Sequence, residues 1–451
     1  MQKNLFYGSL MDMLDSKDPL VVLADTIKWS KFEDEFAQYY SKEGRPAKPI
    51  RLMVGLLLLK QLENLSDENV VIAWKRNPYF QYFCGFSDFQ TALPCHSTDL
   101  VYFRNRIGKK GFEFIFKHSI EIHSNENLNE SQVIADTTIQ ESNLTYPTDG
   151  KLAIKIINHL HKIVKVENIK LRRSYIKEIK QHRINLRFFR HPKKIIKAKA
   201  SMKRLRTIAK TILRDIDRKF GDNLELHNKY ATKFYLYIRV LLQEKNTKNK
   251  IYSLHEIDAY AVNKGKDHKG YEYGTKASVV TTKNSGIIVG VSAHRENEHD
   301  SKTLKLALEN TISNLGSKTI NEVICDRGYR GSKQIIINNE TVIDISIPSN
   351  LQKKDTPEQI NIKKEKFRRR AAIEPIIGHL KSDHRMQRNY LKGFIGDQIN
   401  LLLAATAFNL KKWMNIYFYA FFTGNLSLLK EAYQQLQHQK ELIMFLLQLK
   451  I

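Results

Sequence analysis

Cysteine is scarce in this chain: Cys84, Cys95 and Cys325 are the only three in 451 residues, and no two form a C-x-x-C pair. That excludes a disulfide-stapled scaffold and a thiolate zinc site, and marks all three as ordinary residues of a reduced compartment. Long apolar runs are missing as well. The most apolar stretches, Leu401–Leu410 and Ile416–Phe422, are parted by Lys411 and Lys412. Both fall well short of the roughly 18 to 20 residues that a bilayer span requires. The opening MQKNLFYGSLMDMLDSKDP has no apolar run behind a basic start, so no secretory signal is read. Internal repeats and low-complexity tracts are absent too. The expectation is a soluble cytoplasmic protein without membrane contact.

Acid is also in short supply. Against 74 lysines and arginines stand 47 acids, giving +27 and a pI near 9.7. A surplus of this size calls for a polyanionic partner, and nucleic acid is the default. A basic ribosomal-type protein or a membrane-surface protein is the blander alternative. With 42% hydrophobic residues the chain can build real cores, and its length suggests two or three domains.

Residues 1–125 read as a helical N-terminal domain. Pro49 leads into an apolar run that breaks at Asn64–Leu65, and Ser66 then caps a fresh helix with Asp67 and Glu68 in its first turn. A third helix is predicted from Ser97 or Thr98 to Gly108. Short helices joined by tight turns resemble a helix-turn-helix, which makes Arg104 and Arg106 candidate DNA contacts. A plain helical packing domain would look much the same.

At SQVIADTTIQES the pattern changes to a strand bearing Asp136. Residues 150–248 then interrupt a catalytic domain spanning 126–400. From Lys151 to Arg214 there are 21 lysines and arginines against Glu167 and Glu178, a net +19. Isoleucine and leucine recur there at helical spacing, so the insertion is expected to be helical, with Lys193, Lys194, Lys197 and Lys199 as candidate DNA contacts. A solvated basic hairpin is the alternative. Strand signals resume near Ile251, with Asn284-Ser285-Gly286 suited to a hairpin. A helix follows, capped by Asp300 or Ser301, and NEVICD forms a short strand ending at Asp326. Gly328 and Gly331 open a turn into a short helix, and DISIPS is a further strand. Beyond the charged linker LQKKDTPEQINIKK, a helix from about Glu365 to His384 carries Glu374. Residues 401–451 read as C-terminal helices, and the tail LKEAYQQLQHQKELIMFLLQLKI as an amphipathic one, docked or self-associating. The fold class is α/β, a mixed sheet with flanking helices.

Asp136 and Asp326 each follow a short apolar segment, VIAD and VICD, and strand ends are where α/β sheets place their sites. Hard Mg²⁺ prefers carboxylate oxygens and phosphate, and two such ions can serve an in-line displacement at phosphorus. In KFRRRAAIEPIIGHLKSDH, Arg370, Glu374 and Lys381 lie at i, i+4 and i+11, on one helical face. Ile373, Ile376, Ile377 and Leu380 form the apolar stripe beside it. A carboxylate flanked by cations suits a nuclease surface; a surface ion pair between Arg370 and Glu374 is the bland reading. Pro375 either kinks this helix or marks its restart. His255, His294 and Cys325 read as structural.

Several segments together carry a family resemblance. They are GRPAKPIRLMVGLLLLKQLENLSDENV, NPYFQYFCGF and STDLVYFRNRIG; ADTT around Asp136; KGKDHKGYEYGTKASV and HRENEHDSKTL; CDRGYRG around Asp326; and IEPIIGHLKSDHRMQRNYLKG. Over about residues 18–415 the chain resembles a bacterial insertion-sequence transposase of the DDE class, insertion-sequence-five group. Related families carry tyrosine, arginine, glutamate and lysine in their third motif. Here Arg370, Glu374 and Lys381 match the last three, and Phe367 stands where the tyrosine would be. The resemblance implies an RNase H-like catalytic domain with Asp136, Asp326 and Glu374 holding two Mg²⁺ ions, or Mn²⁺ as a substitute. It implies cleavage at transposon ends, joining of the freed 3′-hydroxyls to target DNA, a homodimer on double-stranded DNA, and a bacterial, nucleoid-associated location. Two alternatives remain: an RNase H-like nuclease without strand transfer, and a domesticated DNA-binding regulator.

Overall fold

A computed structural model describes residues 9–418, apart from 42, 44–45, 124–127, 190, 245, 267–268, 317–319, 332, 338–340, 350–351 and 353–354. The tail read as an amphipathic helix lies outside the described residues.

Seven helices come first: α1 Leu10–Met13, α2 Pro19–Thr26, α3 Trp29–Ala37, α4 Ile50–Leu62, α5 Asp67–Arg76, α6 Pro78–Phe83 and α7 Ser97–Glu121. In α4 every residue after Arg51 is buried, so this helix forms the centre of the bundle. Ser66 caps α5 by accepting from the Asn69 amide at 3.1 Å. The helix from Ser97 does not end at Gly108. Gly108 takes φ 56°, which its missing Cβ permits, and helical structure resumes beyond it to Glu121.

The sheet contains β1 Gln132–Ser142, β2 Tyr260–Lys266, β3 Lys269–Thr282, β4 Ile288–His294, β5 Glu322–Ile324, β6 Gln334–Ile337, β7 Thr341–Ser346 and β8 Arg388–Asn389. Its path runs β2-β3-β1-β5-β7-β6, with β4 also paired to β3 and β8 to β1. The mixed α/β class is as expected. Three details differ. β1 does not stop at Asp136 but continues through the β-branched Thr137, Thr138 and Ile139 to Ser142. The Gly328–Gly331 turn leads not to a helix proper but to a single 3₁₀ turn, Arg327–Tyr329, and then to the β6–β7 hairpin. Finally, the helix after β4, α12 (Asp300–Leu315), is capped by His299, which leaves Asp300 as its first residue.

Between β1 and β2 lie α8 Asp149–Val166, α9 Ile176–Asn185, α10 Ile195–Phe220 and α11 Leu224–Leu242. Their apolar stripes (Ile156, Ile157 and Leu160; Leu205, Ile208 and Ile212; Tyr230, Phe234 and Tyr237) close on one another as a core of their own.

The N-terminal bundle, by contrast, shares one continuous core with β3, β4 and the final described helix, residues 393–418. Asn409 on that helix is tied to the β4 backbone, accepting from Ile288 N at 3.0 Å and donating to Ile288 O at 2.8 Å. No helix among the described residues is long and apolar enough to cross a membrane.

Candidate active site

β1 and β5 are parallel neighbours in register, Ile134 beside Ile324. Asp136, within β1, and Asp326, just past the end of β5, each follow one member of that pair by two residues. On this edge of β1, β5 pairs only as far as Ile134 and β8 only from Glu141. Asp136 lies in the gap between them.

That gap is covered from the third motif. α13 (Pro357–Ala371) opens with a Thr356 capping box and Pro357 at its first position, so the expected charged linker is largely helix. It stops at Ala371, and α14 (Ile373–Ser382) restarts one residue later. The single helix expected over Glu365–His384 is thus two. Pro375 falls in the first turn of the second, where its missing N–H deprives the helix of nothing. Ile373 packs with Ile134 and Ile324 in a small buried cluster, with Ile377 against it. Each of the three acids is therefore one or two residues from a member of one isoleucine clasp.

Above the clasp sits the guanidinium of Arg370. Its Nη1 donates to Glu374 Oε1 at 2.7 Å, and Nη2 lies 3.6 Å from Asp136 Oδ2 and 3.7 Å from Asp326 Oδ2. The surface ion pair between Arg370 and Glu374 does form, but the same guanidinium also faces both aspartates. Its Nε is buried without a hydrogen-bond partner among the described residues. Glu374 is the exposed member, with 58% of its side chain accessible against 14% for Asp136. Burial raises the Asp136 pKa to about 6; the Thr137 amide opposes the rise, the Asp326 charge adds to it, Arg370 opposes it and Asp300 adds to it. Asp326 accepts from Gly328 N at 2.8 Å. Among the described residues, no three carboxylate, imidazole or thiol groups are placed to share one ion.

Cys325, His294 and His255 are held in structural contacts. Burial pushes the Cys325 thiol far up. His294, lowered to about 4 by burial, is held between Ser278 Oγ at 2.8 Å and Ser292 Oγ at 3.2 Å. His255 bridges Ser253 Oγ at 2.9 Å and the Asn143 carbonyl at 3.0 Å. All three match their structural reading.

The candidate DNA contacts divide. Arg104 is 4% exposed and grips Asp67 with both terminal nitrogens, at 2.9 and 2.6 Å, while Lys60 reaches the same carboxylate at 2.9 Å. Its place on α7 beside Leu100, Phe103 and Ile107 turns it into the core, so it has no charge to offer a duplex. Arg106 is exposed, its guanidinium over the Tyr40 ring at 4.7 Å. Lys193, Lys194, Lys197 and Lys199 are exposed at the start of α10. Lys381 is half-buried in the last turn of α14. The sequence reading missed Asp300, Lys276, Thr137 and Tyr329 beside the acids. The available signal was the segment HRENEHDSKTL, in which Asp300 was read only as a helix cap.

Residues 8–106 match the family model described as Transposase domain (DUF772), and residues 245–410 match that of the Transposase DDE domain. The second match contains Asp326 and Glu374; Asp136 lies between the two matches. No solved structure matches the chain. An uncharacterized protein of Rhizobium meliloti, ORF8 in the nfe locus, is 38% identical over 194 residues, 42% of this chain and 94% of that protein. The chain belongs to the DDE-type transposases.

Proposed function

We propose that this transposase, of the insertion-sequence-five group, cleaves the ends of its insertion sequence and joins the freed 3′-hydroxyls to target DNA. Asp136, Asp326 and Glu374, on an RNase H-like sheet, are its catalytic acids. The observation that carries this reading is the convergence of carboxylates from β1, the turn after β5 and α14 on one cation, Arg370. A hard, all-oxygen donor set that already draws a positive charge fits Mg²⁺ or Mn²⁺. When bound, two such ions would activate the attacking oxygen and stabilise the leaving one.

The side chains do the rest. Asp136 and Asp326, fixed by neighbouring strands, form the rigid half of the site. Glu374, exposed on α14, closes it. Arg370 must withdraw from between them for an ion to be shared, and its fork then suits a phosphate oxygen of the DNA, with Lys381 further along the helix. The cations of α10 supply sequence-independent phosphate contacts, and the exposed face of α7 around Arg106 contacts the duplex. Two copies on DNA would bring two ends together, in the cytoplasm at the nucleoid.

Asp136→Asn, Asp326→Asn and Glu374→Gln should each abolish cleavage of end-containing duplex while binding to it persists, because each removes a metal-ligating charge and no base contact. Near-normal cleavage by Glu374→Gln would remove α14 from the site. Mg²⁺ or Mn²⁺ should support cleavage and Ca²⁺ binding alone, whereas full activity in EDTA refutes a metal mechanism. Strand transfer from pre-cleaved ends separates a transposase from a nuclease that only cuts.

A further inference from the structure

A fourth acid adjoins the three, and it contacts both aspartates through single intermediaries. Asp300 Oδ1 accepts from Thr137 Oγ1 at 2.9 Å, and the Thr137 amide donates to Asp136 Oδ1 at 2.7 Å. On its other side Asp300 Oδ2 packs over Gly328, whose amide donates to Asp326 Oδ1 at 2.8 Å. A Cβ added to Gly328 would stand 3.0 Å from Asp300 Oδ2 and 3.0 Å from Asp326 Oδ1, so the two oxygens are no more than about 6 Å apart. A side chain at this position would press both carboxylates aside by a few tenths of an ångström.

Asp300 also has a dedicated counter-charge. Lys276 projects from β3, 7% exposed, and donates to Asp300 Oδ1 at 3.0 Å and to the Glu298 carbonyl at 2.5 Å. Tyr329, three residues after Asp326, is 1% exposed, its hydroxyl without a partner among the described residues. An acid at the first position of a helix is ordinarily explained by the helix dipole. That explanation requires neither a buried lysine nor a hydroxyl tether to the neighbouring aspartate.

We propose that Asp300 is a positioning residue: through Thr137 it fixes the carboxylate of Asp136, and with Lys276 it sets the net charge that an incoming divalent cation meets. The inference rests on the metal reading of Asp136, Asp326 and Glu374. Asp300 and Lys276 should then act on cation affinity with opposite sign, which a purely structural pair would not do.

The experiment is a Mn²⁺ titration of the full chain, following free Mn²⁺ by electron paramagnetic resonance, with thermal unfolding recorded for every variant. Asp300→Asn keeps an acceptor for Thr137 and removes the charge. It should weaken Mn²⁺ binding about 10-fold, the lower end of the usual effect of losing an outer-shell partner. Thr137→Val breaks the tether without changing charge and should weaken binding by a smaller factor. Lys276→Met should tighten it; should that variant fail to fold, the other two, both close in shape to the native residues, decide. Wild-type affinity in folded Asp300→Asn, alongside lost affinity in Asp136→Asn, overturns the role of Asp300. Unchanged affinity in Asp136→Asn overturns the metal reading itself, and this inference with it.

Discussion

The N-terminal bundle and the helical insertion are both all-helical and both place arginine or lysine along a helix, yet they use those cations in opposite ways. In α7, Leu100, Phe103, Arg104 and Ile107 share one face, and the arginine is carried inward with the apolar side chains. In α10 the inward stripe runs through Ala198, Ser201, Leu205, Ile208 and Ile212, and Lys193, Lys194, Lys197 and Lys199 all fall off it. Charge alone does not say which way a side chain points; its phase against the apolar stripe does.

Arg104→Ala tests the inward case and should have the largest effect. It leaves Asp67, 16% exposed, with Lys60 alone, and removing one partner of a buried pair costs about 3 to 5 kcal/mol. The persisting Lys60 contact favours the lower end. Urea unfolding measures the loss. If stability held and DNA affinity collapsed instead, the comparison would be reversed.

The outward case comes next. Replacing Lys193, Lys194, Lys197 and Lys199 with glutamine should leave unfolding nearly unchanged, since all four are exposed. If all four meet phosphate, the slope of log affinity against log salt should flatten by roughly 3.6, at 0.9 per contact. End and random duplexes should weaken alike, because phosphate contacts do not read sequence. An unchanged slope in a salt titration means that α10 faces something other than DNA.

The same distinction decides how much could be read from the sequence. That Asp136 and Asp326 would be neighbours was legible, because VIAD and VICD are matched strands and parallel register aligns their acids. The Ser66 cap was legible too, since a hydroxyl followed by two acids is a strong local signal. The burial of Arg104 could have been found from its spacing to Leu100, Phe103 and Ile107, but its charge was read first. The choice between a kink and a restart at Pro375 could not be read from the sequence: it is decided by Ile373 docking on Ile134 and Ile324. Nor could the place of Asp300. A helix-start acid looks the same whether it faces solvent or an aspartate on another strand, and here His299 had already taken the cap.

A smaller effect should appear on titration. Burial lowers the Lys60 pKa to about 8, against the Asp67 charge, which raises it. The unfolded chain, with an ordinary lysine near 10.4, then binds more protons than the folded one between about pH 8 and 10. Stability from this group should rise with pH across that window and be flat below it, by on the order of 2 kcal/mol. Unfolding midpoints of wild type and Lys60→Met, compared between pH 7 and 10, isolate the contribution. Parallel curves would mean that Lys60 is better solvated than its 7% side-chain exposure implies.

The smallest effect is the sharpest test, because it lies within one helix. Arg106 is two residues from Arg104 but on the solvent side of α7, near the exposed Val101 and Tyr102. Its fold contact is the Tyr40 ring, 4.7 Å from its guanidinium carbon, and an exposed cation–π contact contributes about 0.5 to 1 kcal/mol. Arg106→Gln should therefore cost little stability. If it meets one phosphate, it should lower the salt slope by about 0.9; if it reads a base, the slope should hold and preference for the true end should fall by about 1 to 3 kcal/mol. Binding of end and random duplexes over a salt series distinguishes the two. An Arg106→Gln protein that binds both duplexes like wild type would leave the N-terminal bundle as a packing element and assign DNA affinity to the insertion.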